Sequence, residues 1–393
     1  MAASFVVVSE LPRPSHNAKP AVYHEHQKID RHSSDSFDVN DSRRVGPIRS
    51  FTLREAQRMN IREVAKRAGV STATVSRVVN GTAPVDERTE KRVRAAIQRS
   101  GYYPNTHART LGTGKSHIYG LIISDIENPF FPELVKCFER LAVEHGHEVL
   151  IANTDYQAAR MEVCVRRMLE RKVDGVAIMT SEMDPALIQM LNGRGIPIVF
   201  LDTGAVAEGI SNISLDYDSG VDQAIDHLTS LGHRRIAFVS GPDNLASART
   251  RQEAFLASLQ RKKIKCSDDY IRPGNHRFDG GYAAMLELLK LPVRPTAVLA
   301  SNDLTAIGIM GALYAAGLRV PEDISVVGFD DIALSSFMPP PLTTIRLSRV
   351  EIAEFAFTSL YAASQRGETQ GVTHIVRAEL VIRQSTAAIR QEV

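Results

Sequence analysis

Eight polar side chains offer most of the recognisable chemistry in this sequence. Asp125, Asn153, Asp155, Asp202, Asn302, Asp303 and Asp330 each follow a short apolar run, and Arg251 adds a fork-shaped donor. Carboxylates and amides accept hydrogen bonds from hydroxyls while a guanidinium donates two, so the set suits a polyhydroxylated ligand. Any one of them alone reads equally well as a turn or cap, and Asp303 reads as the cap of a helix starting at Leu304. Paired acids at a cleft also describe a glycosidase, but no nucleophile and base accompany them. A second set, Thr72, Ala73, Thr74, Ser76 and Arg77, lies in a basic stretch. Residues 59–113 hold ten Lys/Arg against four Asp/Glu, whereas residues 114–393 carry a net −6 within a total of +2. A basic module on an acidic body implies that the module meets a polyanion and the body does not.

These residues need elements to hold them. Asn60 and Glu63 form a capping box for a helix with Ile61, Val64, Ala65 and Ala68 on one face, stopped by Gly69. Ser71 caps a second helix that buries Val75, Val78 and Val79 and leaves Thr72, Ala73, Ser76 and Arg77 outside. Asp86 caps a third, carrying Val93, Ala96 and Ile97, as far as Gly101. Three short helices with a tight glycine turn between the first two make a helix-turn-helix over 59–104, whose second helix fits a major groove. Pro104 breaks the chain, and one short helix in 105–116 is too short to persist alone.

From 117 to 386 strands and helices alternate. Strands are predicted at Ile118 to Ser124, Glu148 to Asn153, Val173 to Thr180, Ile196 to Asp202, Arg235 to Gly241, Ala297 to Asn302 and Ser325 to Asp330, with helices such as Phe131 to His145 and Gly220 to Leu231 between them. The alternation predicts an α/β body of two doubly wound parallel-sheet lobes with a cleft between, and the polar residues above fall at strand carboxyl ends, where such sheets bind ligands. At 393 residues, 44% hydrophobic and 23% charged, the chain reads as a soluble globular protein of two or three domains. It has no membrane-length apolar run and no secretory signal. Cys137, Cys164 and Cys266 lack disulfide or zinc spacing, which favours a reducing cytosol and predicts no metal site. Residues 1–58 show no apolar period and read as a disordered extension, with Tyr23-His24-Glu25-His26 as solvated tail and Met59 as the expected physiological start. Residues 387–393 read as a tail without a heptad repeat, hence a homodimer with no tetramerising zipper.

The run Ile61-Arg62-Glu63-Val64-Ala65-Lys66-Arg67-Ala68-Gly69-Val70-Ser71-Thr72-Ala73-Thr74-Val75-Ser76-Arg77-Val78-Val79-Asn80 closely resembles the DNA-binding headpiece of the LacI/GalR (lactose and galactose repressor) family. The resemblance continues through Gly101-Tyr102-Tyr103-Pro104-Asn105 and the body to about Thr386. It implies a sequence-specific transcriptional regulator, usually a repressor, that binds a near-palindromic operator in double-stranded DNA as a homodimer. Its body would be periplasmic-binding-protein-like and bind a small-molecule effector, a sugar or sugar derivative, with no cofactor. It implies major-groove contacts from Ser71, Thr72, Ala73, Thr74, Ser76, Arg77 and Asn80. A hinge would place Asn105, Ala108 and Leu111 in the minor groove, where an apolar wedge such as Leu111 kinks a base step. It places Phe130, Arg251, Asn302 and Asp330 at the effector, beside the Asp202 read above, and a lobe crossover at Pro340-Pro341-Leu342-Thr343-Thr344-Ile345, with others near Leu215-Asp216 and Ala378 to Arg383.

Two positions depart from the family pattern. Ala254 stands where Gly is usual three residues after the effector arginine, and His276 where a stacking aromatic is common, which implies a more polar pocket. Three other readings compete: a transport-type sugar-binding protein, which needs an export signal and no headpiece; a carbohydrate-active enzyme using the same cleft; and a non-specific architectural DNA binder.

Overall fold

The computed structural model describes residues 60–81, 83–102, 114–180, 185–202 and 206–389. The expected extension, Met59 and the hinge residues Asn105, Ala108 and Leu111 lie outside them. The chain divides into two compact units, Met1–Tyr103 and Pro104–Val393.

In the first unit, helices α1 (Ile61–Ala68), α2 (Thr72–Asn80) and α3 (Glu87–Ser100) form where the caps predict. Asn60 Oδ1 accepts from the N–H groups of Arg62 and Glu63, Ser71 Oγ from Thr74, and Asp86 from Thr89. Such caps contribute about 1 kcal/mol each. The Glu63 side chain lies 3.6 Å from Arg67, one turn on. Val64, Ala65, Ala68, Val75, Val78, Val93 and Ala96 close a small core of their own.

The second unit carries helices α4 (Phe130–Glu144), α5 (Ala158–Arg171), α6 (Pro185–Asn192), α7 (Tyr217–Ser230), α8 (Ala246–Arg261), α9 (Phe278–Leu289), α10 (Asp303–Ala315) and α11 (Arg349–Tyr361). Its strands are β1 (Ile118–Ile123), β2 (Glu148–Asn153), β3 (Gly175–Met179), β4 (Ile198–Leu201), β5 (Ile210–Asp216), β6 (Ile236–Val239), β7 (Ile271–Arg272), β8 (Ala297–Ala300), β9 (Ser325–Asp330), β10 (Thr343–Leu347) and β11 (Thr373–Val381). The seven predicted strands are all present. The other four are short or polar, as in Ile-Ser-Asn-Ile-Ser-Leu-Asp of β5, and give little periodic signal. The two expected parallel sheets are the halves of one ladder, β2-β1-β3-β4-β5-β11-β10-β9-β8-β6-β7. Every pairing is parallel except β10 with β11, where the halves meet. Central strands such as β3 and β9 are buried along their whole length, as helices on both faces require.

The chain passes between the lobes three times: after Asp216, at Ser348 and within β11. The second crossing follows β10, later than the Pro340 to Ile345 stretch, because Thr343–Arg346 still pair with β9. Strand β11 pairs with β5 through Thr373–Arg377 and with β10 through Ala378–Val381. At that switch β5 has ended, and the Gln223 side chain of α7 takes its place: Nε2 donates to the Ala378 carbonyl at 3.0 Å and Oε1 accepts from the Leu380 N–H at 3.1 Å. Helix α7 lies close enough that a Cβ on Gly220 would sit 2.6 Å from that of Ala378. The expected tail is held to the body at its start, where Ala387 N–H donates to Ser325 and Ile389 N–H to the Leu231 carbonyl. Cys137, Cys164 and Cys266 are free thiols. No helix among the described residues is long and apolar enough to cross a membrane.

Gln223→Ala strips both partners from β11 at the switch, at about 1–3 kcal/mol for each orphaned group. Urea unfolding should show a lowered midpoint, and lowered as well in Gln223→Glu, whose carboxylate keeps the acceptor for Leu380 but opposes the Ala378 carbonyl with no donor.

Candidate functional site

Two sites emerge, one in each unit. In the first, α2 exposes Thr72, Ala73, Arg77 and Asn80, with Thr74 and Ser76 half-buried at its edge and Val75 and Val78 turned inward. Ser71 is exposed but committed to capping, its hydroxyl 2.9 Å from that of Thr74, and Asn80 Nδ2 donates to Ser76 Oγ at 3.1 Å. Arg77 makes no ion pair among the described residues. The three glutamates among the described residues of this unit, Glu63, Glu87 and Glu90, are taken by Arg67, Lys91 and Arg94 one helical turn on. Arg62, Lys66, Arg77, Arg88, Arg92 and Arg99 are left without ion pairs among the described residues, and they give the module its positive surface.

In the second unit, Phe130, Asp202, Arg251, His276, Asn302 and Asp330 all line one cavity between the lobes, about 560 Å³ up to its mouth. Helix α8 supplies Arg251, which is 8% exposed. Its guanidinium lies 4.2 Å from the Phe329 ring and 5.0 Å from that of Tyr217, donates to the Ser301 carbonyl at 2.5 Å and faces Asp330 at 3.8 Å. Burial pushes Asp330 up to about 6, against the pull of Arg251, Arg349 and an Asn128 hydrogen bond. Burial, reinforced by Arg251, pushes His276 down to about 3, so its imidazole is neutral. That ring lies against Gly241, where a Cβ would meet Nε2 at 2.0 Å, and stands 6.2 Å from the Tyr156 ring. Asp202 is raised by burial.

Several of these groups are incomplete. Asp202 Oδ2, Arg251 Nε, His276 Nε2 and Thr180 Oγ1 are buried without a hydrogen-bond partner. Each such group costs about 1–3 kcal/mol. Left-handed backbone clusters here too: Tyr156 at φ 55°, Asp202 at 62°, His276 at 60° and Asp330 at 113°. Strain of this kind persists where surrounding structure fixes a functional geometry.

Other expectations fall elsewhere. Asn302, not Asp303, caps α10: its Oδ1 accepts from Thr305 N–H at 2.9 Å, while its Nδ2 donates to the His276 carbonyl at 2.9 Å. Asn302 therefore holds His276 in place as well as lining the cavity. Asp303 is fully buried inside the helix and accepts from Ile332 N–H and the hydroxyls of Ser335 and Thr344. Asp125 and Asp155 are not in the cavity wall. They bind Arg277 of the other lobe at 3.0 and 2.9 Å, and Asn153 accepts from Ile126 N–H. Arg349, at the start of α11 in the first lobe, pairs with Glu133 at 2.7 Å and makes the second tie between the lobes by donating to the Asp330 carbonyl at 2.5 Å. Ala254 packs in the core and not in the cavity. Sequence reading missed Asn128, Tyr156, Thr180, Tyr217 and Ser247 of the lining. Only Asn128 carries a sequence signal, standing two residues before Phe130 in Asn128-Pro129-Phe130-Phe131.

Comparison with known proteins gives concordant matches. A family model described as bacterial regulatory proteins, lacI family, matches residues 60–105, and one described as a periplasmic binding protein-like domain matches 225–386. The ribose operon repressor of Escherichia coli (strain K12) is 39% identical over 302 residues, covering 76% of this chain and 91% of that protein. The HTH-type transcriptional repressor PurR of Pasteurella multocida (strain Pm70) is 34% identical over 327 residues, covering 83% and 98%. Among solved structures, the lac repressor dimer bound to operator and the anti-inducer ONPF is similar with a TM-score of 0.75 at 30% identity, covering 84% of this chain and 99% of that one. A LacI family transcriptional regulator from Enterococcus faecium with bound ribose gives 0.62 at 30% identity, covering 70% and 100%.

Burial, with Asp330 adding to it, raises Asp303 to about 7. An unfolded aspartate titrates near 3.9, so between about pH 4 and 7 the native state binds more protons and stability falls as pH rises. In thermal unfolding across that window, Asp303→Asn should gain on wild type steadily from acid to neutral pH. A constant difference would contradict the raised carboxyl.

Proposed function

This chain belongs to the lacI family of bacterial regulatory proteins, and from that premise we propose that it is a DNA-binding transcriptional repressor whose operator affinity is set by a small sugar held between the lobes of its body. The observation that carries the effector half is the set of unpartnered buried atoms, Asp202 Oδ2, Arg251 Nε and His276 Nε2, on residues that line one cavity. A carboxylate, a guanidinium and a neutral imidazole together accept from and donate to hydroxyls on several sides of a small ring. The ribose operon repressor and the ribose-bound regulator are similar to this chain, which favours a pentose of ribose type. We assign the carboxylates to ligand binding and no catalytic role to any residue.

The DNA half rests on α2 and its unpaired cations. We assign Arg77 to a base edge or phosphate in the major groove, with Thr72, Ala73, Thr74, Ser76 and Asn80 beside it and Ser71 holding the helix start. Asn105, Ala108 and Leu111 are assigned to a hinge in the minor groove, formed when two copies of the chain meet on a near-palindromic operator. The protein acts as a homodimer in the cytoplasm.

A thermal-shift titration against pentoses, hexoses, polyols and purine bases tests the effector. A ligand at a hundred times its Kd stabilises the native state by about 2.7 kcal/mol. Ribose or a close pentose should give a dose-dependent shift that shrinks in Asp202→Asn and in His276→Ala. These variants are preferable to Arg251→Ala, which would leave Asp330 buried without its cation. A shift from purine bases alone would replace the sugar reading. For DNA, anisotropy at fixed salt should show Arg77→Ala weakening operator binding tenfold or more, and Leu111→Ala weakening specific binding more than binding to random duplex. Equal loss on both duplexes would remove Leu111 from the wedge role.

A further inference from the structure

The ligand cavity lies at the carboxyl ends of the strands, and a second cluster of chemistry lies at the opposite ends. His117, His147 and Asp174 each sit immediately before a strand, β1, β2 and β3 respectively. Those strands are neighbours in the order β2-β1-β3. The register Ile118↔Glu148 sets His117 beside His147, and Tyr119↔Gly175 sets Asp174 one residue further along. The backbone ladder therefore brings the three residues to one end of neighbouring strands, and the left-handed backbone at His117 (φ 57°) takes that residue out of the strand's alternation. One ligand atom from each residue lies within 4.8 Å of the other two.

The three side chains are oriented as ligands are. His147 Nδ1 is 3.0 Å from the His145 carbonyl, which puts its proton there and leaves the Nε2 lone pair outward. Its ring stacks on Tyr119 at 4.5 Å, which fixes its plane. Asp174 accepts from the N–H and hydroxyl of Ser116 and from His117 N–H, so its carboxylate is aimed by three donors. The His117 imidazole is half-buried, makes no hydrogen bond among the described residues and lies 5.4 Å from the His147 ring, centroid to centroid. Lys115, the nearest cation in sequence, directs its ammonium to the Ser364 carbonyl and Gln365 Oε1. The Gln365 amide lies 3.3 Å from His147 Nε2, a long contact that a stronger ligand can displace.

We propose that His117, His147 and Asp174 bind one divalent transition-metal ion of the zinc or cobalt class at the amino ends of β1, β2 and β3. Two imidazoles and a carboxylate are the donor set such ions prefer, with a fourth position left to water. Bond lengths near 2.0–2.1 Å put tetrahedral ligand atoms roughly 3.4 Å apart, so the cluster has to contract by a little over an ångström on binding. The ion ties the point where the chain enters β1 to the loops before β2 and β3, so it stabilises the lobe from the side away from the effector. The site is independent of the sugar cavity and of the family assignment.

Co²⁺ titration of the full chain tests it, with His16→Ala, His24→Ala, His26→Ala and His32→Ala introduced to silence the four histidines of residues 1–58. One Co²⁺ per chain should bind, giving the intense visible absorption of a low-coordinate nitrogen and oxygen site and a raised unfolding temperature. Adding His117→Ala should abolish the band and weaken binding at least tenfold, while circular dichroism and metal-free unfolding stay as in the parent. His147→Gln should do the same, and if that variant misfolds His117→Ala decides alone. No visible band in the parent, or undiminished binding after His117→Ala, overturns the site.

Discussion

A guanidinium that cannot lose its charge has been taken almost out of water at Arg251, and the body is organised around that fact. Burying such a group costs several kcal/mol unless partners replace its hydration. Part of the replacement is present: the Ser301 carbonyl at 2.5 Å, the faces of Phe329 and Tyr217, and Asp330 at 3.8 Å. It is incomplete, because Nε has no partner and the ion pair is long. The surroundings adjust around the fixed charge. His276 is held neutral, and Asp330 is drawn down by Arg251 while burial pushes it up. The cavity is an electrostatic arrangement that one more set of dipoles would complete, and a ligand's hydroxyls are such a set.

Arginine recurs where the lobes meet. Arg277 reaches Asp125 and Asp155, and Arg349 reaches Glu133 while donating to the Asp330 and Asp331 carbonyls. Arg277 is 40% exposed, so its contribution to stability is modest. Its effect is geometric, since it holds the cleft in one arrangement. Three chain crossings and the switch in β11 provide a hinge between rigid half-sheets, which is the arrangement in which small ligands bias lobe position. Gln223 lets β11 change partners without leaving its backbone groups unpaired, so the hinge is continuous sheet and not loop.

Helices α1–α3 were readable in the sequence because caps, glycine stops and apolar spacing act within a few residues. The seven strands were readable because a doubly covered parallel strand is an uninterrupted apolar run. All six predicted cavity residues converge because strand carboxyl ends in such a sheet share one edge. Partnership over long separations was not readable. That Asp125 and Asp155 bind Arg277, more than a hundred residues away, leaves no periodic trace. Nor does the exchange of roles between Asn302 and Asp303, since either is an acceptable cap and only the packing of Ser335 and Thr344 on the aspartate decides between them. Tyr217 and Tyr156 carry no local signal in the sequence, and their place on the cavity follows from positive φ at Tyr156 and from the first crossing at Asp216.

The lobe assignment of the cavity residues bears on how an effector could act at a distance. A ligand shifts an equilibrium only by the difference in its affinity for the two states. One gripped by Arg251, His276 and Asp330 alone would sit on a single lobe, bind every lobe arrangement equally and change nothing. Asp202, Asn128 and Phe130 belong to the other lobe, so a ligand satisfying Asp202 Oδ2 and Arg251 Nε together binds only when both lobes face it. With each orphaned group worth about 1–3 kcal/mol, one or two such bonds supply the 1–3 kcal/mol typical of allosteric coupling. The same difference must then be felt by the DNA: whatever lobe arrangement the operator favours, the effector's affinity for the DNA-bound protein changes by the factor by which the effector changes operator affinity.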